Sequence, residues 1–201
     1  ERYLRVVPQV GYLLGPKLIE LGFQAREELP LVTLAIPYLD ELSALTGDTI
    51  HLAIREFDDV LYLHKNPGRN GPEMRSRVGH RMPLARTGIG KALLLDDSQE
   101  EWQRLYQVSL PVGGKNLHWP QHPEQSWEQF EQRMREYVAG GYAFDLEDNE
   151  PSIRCVAAPV RDASRRIVAG ISIASTVPYM PLEKMAELIP VIKQVAARLS
   201  A

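Results

Sequence analysis

The feature that most restricts this chain is a pair of strand hairpins set far apart, with helical sequence between them. Thr49–Arg55 (TIHLAIR) and Val60–Lys65 (VLYLHK) alternate apolar and polar residues around the acidic turn Glu56-Phe57-Asp58-Asp59. That two-residue period belongs to adjacent antiparallel strands. Ile153–Arg161 (IRCVAAPVR) and Ile167–Ser175 (IVAGISIAS) form a second hairpin around Asp162-Ala163-Ser164-Arg165, its first strand interrupted near Pro159. Elsewhere the period lengthens to that of helices. One helix is predicted over 16–27, and another from Pro30 through Leu31, Leu34, Ala35, Tyr38, Leu39, Leu42 and Leu45 to Gly47, bent at Pro37. Others run from Thr87 to about Leu95, over 98–107, over 124–139 before Gly140-Gly141, and over 182–199 with a bend at Pro190. Residues 3–7 and 10–14 read as short strands, with Pro8 working against a tight hairpin between them, and 73–78 and 142–145 as two more. Because this order does not alternate strand and helix, a doubly wound parallel sheet is excluded. The chain is predicted to be α+β, an antiparallel sheet flanked by helices.

Composition narrows the function classes. A formal net charge of −3 over 201 residues argues against wrapping nucleic acid or an anionic membrane by bulk electrostatics. Any contact with DNA is therefore expected to be local or to lie elsewhere. A single cysteine, Cys155, rules out an intrachain disulfide and fits a reducing, cytoplasmic setting. No apolar run approaches the ~20 residues of a membrane span, so no membrane contact is predicted. The chain opens on Glu1, directly in strand-like sequence, as expected for a piece of a longer protein.

Thr87–Leu95, TGIGKALLL, places two glycines and a lysine at the mouth of an apolar run. A phosphate loop needs G-x-x-x-x-G-K-[ST], which the spacing here fails, and a dinucleotide fingerprint lacks its third glycine. Two readings remain. The glycines make a tight turn packed on the core, or they open a helix whose free N–H groups meet a small anion. Lys91 is expected to be solvated, a bystander. Cys155, in the middle of a strand, is either a buried small hydrophobe or a functional thiol, and His51, His64, His80, His118 and His122 show no spacing that pairs one of them with it. Pro120 argues against a helical metal pair from His118 and His122, so no metal and no cofactor are predicted. The acidic run Asp145–Glu150 reads as a solvated turn.

Three segments taken together, MPLARTGIGKALLL (82–95), GGYAFDLEDNEPSIRCVAAPV (140–160) and the hairpin on to ISIAS (171–175), resemble the C-terminal effector-binding domain of IclR-type transcriptional regulators. The resemblance covers about residues 30–201. YLLGPKLIELG (12–22) is similar to the last strand of that family's winged helix-turn-helix domain running into a linker helix. It implies a winged-domain remnant over 1–15, a linker helix over 16–29 and an effector-binding domain over 30–201, with the DNA-reading helices upstream of Glu1. It also implies a GAF-like or profilin-like sheet and a cytoplasmic repressor-type regulator of catabolic genes. Its partners would be a small organic or sugar-derived acid, operator DNA through the missing domain, and further copies of itself as a homodimer or homotetramer. On that resemblance the carboxylate meets the N–H groups of Gly88 and Ile89, and Asp145 accepts from the ligand. Cys155 and Ser172 line the site, and Met74, Met82 and Ile153 form its apolar walls. The chain departs from the family pattern at Pro151-Ser152 and at Ala174, where a glycine and a second serine are common.

No catalytic residue is assigned. Two other classes stay open at this level: a thiol enzyme using Cys155 with Asp145 or a histidine, and a GAF-type signalling module without DNA binding. Arg75, Arg77, Arg86 and Arg154 face either the site or water, and sequence pattern does not decide between these.

Overall fold

A computed structural model describes residues 2–110 and 126–200. His118 and His122, and the start of the helix expected from 124, lie outside the described residues. The chain divides into two compact units, residues 1–36 and 37–201.

In the first unit β1 (Leu4–Val7) and β2 (Gly11–Leu14) do form a hairpin, with Leu4 opposite Leu14 and Val7 opposite Gly11. The chain turns past Pro8 by placing Gln9 and Gly11 at positive φ, 65° and 104°. Helix α1 (Lys17–Glu27) follows, and none of its residues is buried. Helix α2 (Pro30–Thr46) begins in this unit but belongs mostly to the second, where it ends at Gly47, whose φ of 70° glycine adopts without strain.

The second unit is built on a six-stranded antiparallel sheet of β3 (Thr49–Glu56), β4 (Asp59–Asn66), β5 (Arg81–Pro83), β6 (Ala143–Leu146), β7 (Ile153–Arg161) and β8 (Ile167–Thr176). Their spatial order is β5-β4-β3-β8-β7-β6. The edge strand next to β4 is therefore Arg81–Pro83, and the strand expected over 73–78 does not form. Lys65 instead holds that segment as a loop, its Nζ donating to the carbonyls of Met74 and Ser76 at 2.7 and 2.9 Å. β7 is not interrupted at Pro159, which pairs with Gly170. The neighbouring β6 stops at Ala143, opposite Ala157, so at Pro159 the strand is an edge on that side, where a missing N–H is tolerated.

Helix α3 (Gly88–Leu93), α4 (Gln99–Ser109) and α5 (Trp127–Gly140) cover one face of the sheet. Ile89, Ala92, Leu93, Trp102, Leu105, Phe130 and Met134 meet Ala53, Val60, Tyr62, Ala143 and Ala157 in one core. Ser126 and Gln129 cap α5 reciprocally, and α6 (Leu182–Leu199) lies on the opposite face against β7 and β8.

Gly141 ends α5 at φ 69°, its N–H donating to Tyr137 O at 2.7 Å. An added Cβ there would come no closer than 3.6 Å to Lys193, so only backbone strain opposes it. Gly141→Ala is expected to lower stability in urea denaturation by about 1 kcal/mol; no change would mean that α5 ends otherwise.

Candidate functional site

Residues paired across antiparallel strands share a face, so the register sorts the side chains. One row under α3 reads Asp145, Cys155, Ala174, Thr49 from β6 to β3. The next reads Ala143, Ala157, Ser172, His51, Lys65, and a third reads Pro159, Gly170, Ala53, Tyr62. Asp145, Cys155 and Ser172, predicted from separate strands, thus come to one face. Ile153, two residues before Cys155, joins them by alternation and is half-buried, as are Met74 and Met82. Met82 pairs with Val60 on the same side.

Gly88 is seated against this row. A Cβ at Gly88 would lie 2.5 Å from Cys155 Sγ and 2.8 Å from Asp145 N, closer than any real contact. Thr87 caps α3 by accepting from Gly90 N–H at 3.0 Å. The backbone N–H groups of Gly88 and Asp145 point toward the thiol, while Ile89 N–H meets no acceptor among the described residues. Burial pushes the Cys155 thiol up to about 12, with the Asp145 charge adding to it. Such a thiol is not a nucleophile at neutral pH, which removes the reading of Cys155 as an enzyme's thiolate.

The largest departure from expectation is Lys91. It is fully buried, its ammonium paired with Asp148 and donating to Phe144 O at 3.1 Å. The sequence points to this only in hindsight: a lysine inside an unbroken apolar run needs an acid, and the run 145–150 supplies one. Burial alone would pull the ammonium down, but Asp148 and Asp145 outweigh it and raise its pKa. Asp148 in turn is held below the ordinary carboxylate range by Lys91 and Arg133 against the opposing pull of burial. Arg133 reaches it at 3.1 Å. The run 145–150 is therefore a folded anchor and not a solvated turn. Asp145, 5% exposed, accepts from Asp148 N–H at 2.8 Å and from Asn149 N–H at 3.4 Å. Its pKa is raised, first by burial and then by the Asp148 charge, with Lys91 opposing.

Three further groups on this face were not picked out by sequence: His51, Tyr62 and Lys65. His51 is buried, with Nε2 at 2.8 Å from Ser76 Oγ and Nδ1 at 3.3 Å from Ser172 Oγ. Burial, helped by the Lys65 charge, lowers its pKa to about 3, so the ring is neutral. A signal existed, since His51 is the one polar position within the apolar stretch Ile50–Ile54. Of the four arginines left open, Arg86 donates to Asp148 O at 3.0 Å and Arg154 pairs with Glu147 at 3.0 Å, whereas Arg75 and Arg77 are exposed. Among the described residues no three His, Cys, Asp or Glu side chains gather at metal-binding distance.

Two predictions follow from these charges. Lys91→Met leaves Asp148 buried beside a partly exposed arginine, and is expected to cost about 3–5 kcal/mol in chemical denaturation. Lys91→Met with Asp148→Asn should lose less than the sum of the single losses; additive losses would contradict a coupled pair. For His51 the folded pKa lies below the unfolded value of ~6.5, so its contribution is intact above that pH and is lost as pH falls toward about 3. His51→Gln is expected to flatten the fall in stability between about pH 6 and 4, by up to about 1.4 kcal/mol per unit. A slope equal to the unaltered chain's would show that His51 is not held neutral.

Comparison with known proteins agrees with this architecture. Residues 23–201 match the family described as "Bacterial transcriptional regulator IclR C-terminal". The HTH-type transcriptional regulator KdgR of Escherichia coli is 30% identical over 210 residues, covering 100% of this chain and 78% of that protein. XynR of Escherichia coli, another HTH-type transcriptional regulator, is 32% identical, covering 86% of this chain and 67% of its own length. The chain spans 58% of the KdgR of Dickeya chrysanthemi, to which it is 34% identical. The crystal structure of the Thermotoga maritima IclR superposes with a TM-score of 0.80 at 26% identity, over 99% of this chain and 78% of that one. These relatives are transcriptional regulators and not enzymes. The chain belongs to the IclR family of bacterial transcriptional regulators and carries its C-terminal, effector-binding domain.

Proposed function

We propose that the face shared by Asp145, Cys155 and Ser172 binds a small carboxylic or sugar-derived acid, and that occupancy sets the regulator's hold on operator DNA. The observation that carries this reading is convergence: three successive strands bring a carboxyl, a thiol and a hydroxyl to one face, and the much earlier segment with Gly88 and Ile89 is seated over it. Gly88 supports the site by its lack of a side chain, with its N–H turned to Cys155. Ile89 N–H is the amide left for the ligand's carboxylate. Met74, Met82 and Ile153 supply the apolar wall such a site needs. With Asp145 pushed toward its neutral form, the face does not repel an incoming anion as an ionised carboxylate would.

The same reading assigns residues 1–15 to the end of a winged helix-turn-helix domain, 16–29 to a linker and 30–201 to the effector domain. Helix α1 exposes Leu18, Ile19, Leu21 and Phe23, from 38% to 72%, which supports its pairing with a second copy. A two-fold operator calls for such a dimer, and pairing of dimers gives the tetramer. A cytoplasmic location follows from contact with DNA, and no helix among the described residues is long and apolar enough to cross a membrane.

The test is a thermal-shift screen with lactate, gluconate, glyoxylate and benzoate on the unaltered chain and on Asp145→Ala. An acid at a hundred times its dissociation constant is expected to stabilise the former by about 2.7 kcal/mol and the latter far less. If no acid stabilises the chain, or if Asp145→Ala responds equally, this face is not the effector site.

A further inference from the structure

The register of β4 contains an irregularity that the effector reading leaves unused. Leu52 pairs with His64, but Ala53 pairs with Tyr62, so Leu63 is the extra residue of a β-bulge. In a regular strand Tyr62 and Lys65, three residues apart, would point to opposite faces. The bulge puts both on the face that carries Asp145, Cys155 and Ser172. Bulges commonly re-aim a side chain at a functional site.

Tyr62 is 7% exposed and its ring is packed in the core, yet no hydrogen bond of its hydroxyl is found among the described residues. A phenol that makes no hydrogen bond inside the protein keeps its O–H available to donate to a ligand. Its surroundings are built to hold the ring still. The His51 ring lies 4.9 Å away, tilted by 42°. His51 is itself fixed between Ser76 and Ser172, at 2.8 and 3.3 Å. Lys65 fixes the loop that bears Ser76 through two backbone carbonyls, at 2.7 and 2.9 Å. The residues opposite and beyond Tyr62 in its row, Ala53 and Gly170, are small. Burial raises the phenol's pKa, and Cys155 and then Asp145 are near enough to raise it further.

We infer that Tyr62 is a specificity-determining residue of this site, donating a hydrogen bond to a neutral oxygen, a hydroxyl or a carbonyl, on the bound acid. His51 is its positioning residue. The inference rests on the effector reading above. It selects oxygen-bearing acids over hydrocarbon acids, because a donor left unpaired beside a methylene rejects the ligand that lacks the oxygen. The ligand's own carboxylate is not the acceptor: Tyr62 lies near enough to Asp145 to feel its charge, and the amide left for an anion is Ile89's.

The test measures dissociation constants by calorimetry for two pairs of acids matched in carbon skeleton, lactate with propionate and gluconate with hexanoate. In the unaltered chain the oxygenated member of at least one pair is expected to bind about tenfold tighter or more. In Tyr62→Phe that ratio should fall toward one while the hydrocarbon member binds as before. His51→Gln should reduce the ratio in part. A tyrosine ultraviolet difference band on adding the oxygenated acid, absent from Tyr62→Phe, reports the contact directly in the unaltered chain, so the inference does not hang on the variant's folding. If Tyr62→Phe keeps the ratio, or weakens both members of a pair equally, the inference is overturned while acid binding stands. If none of the four acids binds the unaltered chain, the inference falls together with the effector reading.

Discussion

A lysine ammonium buried under the helical face of the sheet is held there because Asp148 meets it, and the candidate site depends on that pair. Lys91 sits on α3 and Asp148 follows β6, so their contact joins the short helix that carries Gly88 and Ile89 to the strand that carries Asp145. Arg133 of α5 and Arg86, from the segment before α3, close on the same turn. Breaking one member strands a charge in a low-dielectric interior, which makes the arrangement all-or-none. The glycine at position 88 then fits because nothing larger would, with Cys155 Sγ and the Asp145 backbone directly beneath it.

The same electrostatics decide between chemical roles. A thiol raised to about 12 by burial and a histidine lowered to about 3 cannot act as nucleophile and base near neutral pH. Apart from Lys65, whose ammonium is taken up by backbone carbonyls, what remains on the face is a set of neutral donors and acceptors, His51, Ser172 and Tyr62, beside one carboxyl that burial drives toward its neutral form. That combination suits binding and discrimination rather than bond-making, in keeping with a family of regulators.

Much of the fold was legible because periodicity carries it. The hairpins 49–65 and 153–175 and the helices starting near 16, 30, 98 and 182 are all present within a few residues of expectation. The failures have local causes. The segment 73–78 carries strand-like alternation but is held as a loop by Lys65, and Pro159 sits in a continuous strand because its outer neighbour has already ended. At the site, Asp145, Cys155 and Ser172 were named through family resemblance, whereas spacing alone gave no reason to join them. Tyr62 was hidden because a single-residue bulge reverses the parity on which strand reading depends, and Lys91 because its partner lies 57 residues away along the chain.

The most direct measurement of the central claim is an amide-resolved NMR titration of the chain with gluconate and lactate. The account predicts that the first and largest shifts fall on Ile89, Gly88, Asp145 and Ser172, with Tyr62 moving alongside them. Shifts centred instead on the open groove of Arg161, Arg165 and Lys193 on the other face of the sheet, with the α3 amides unmoved, would contradict it.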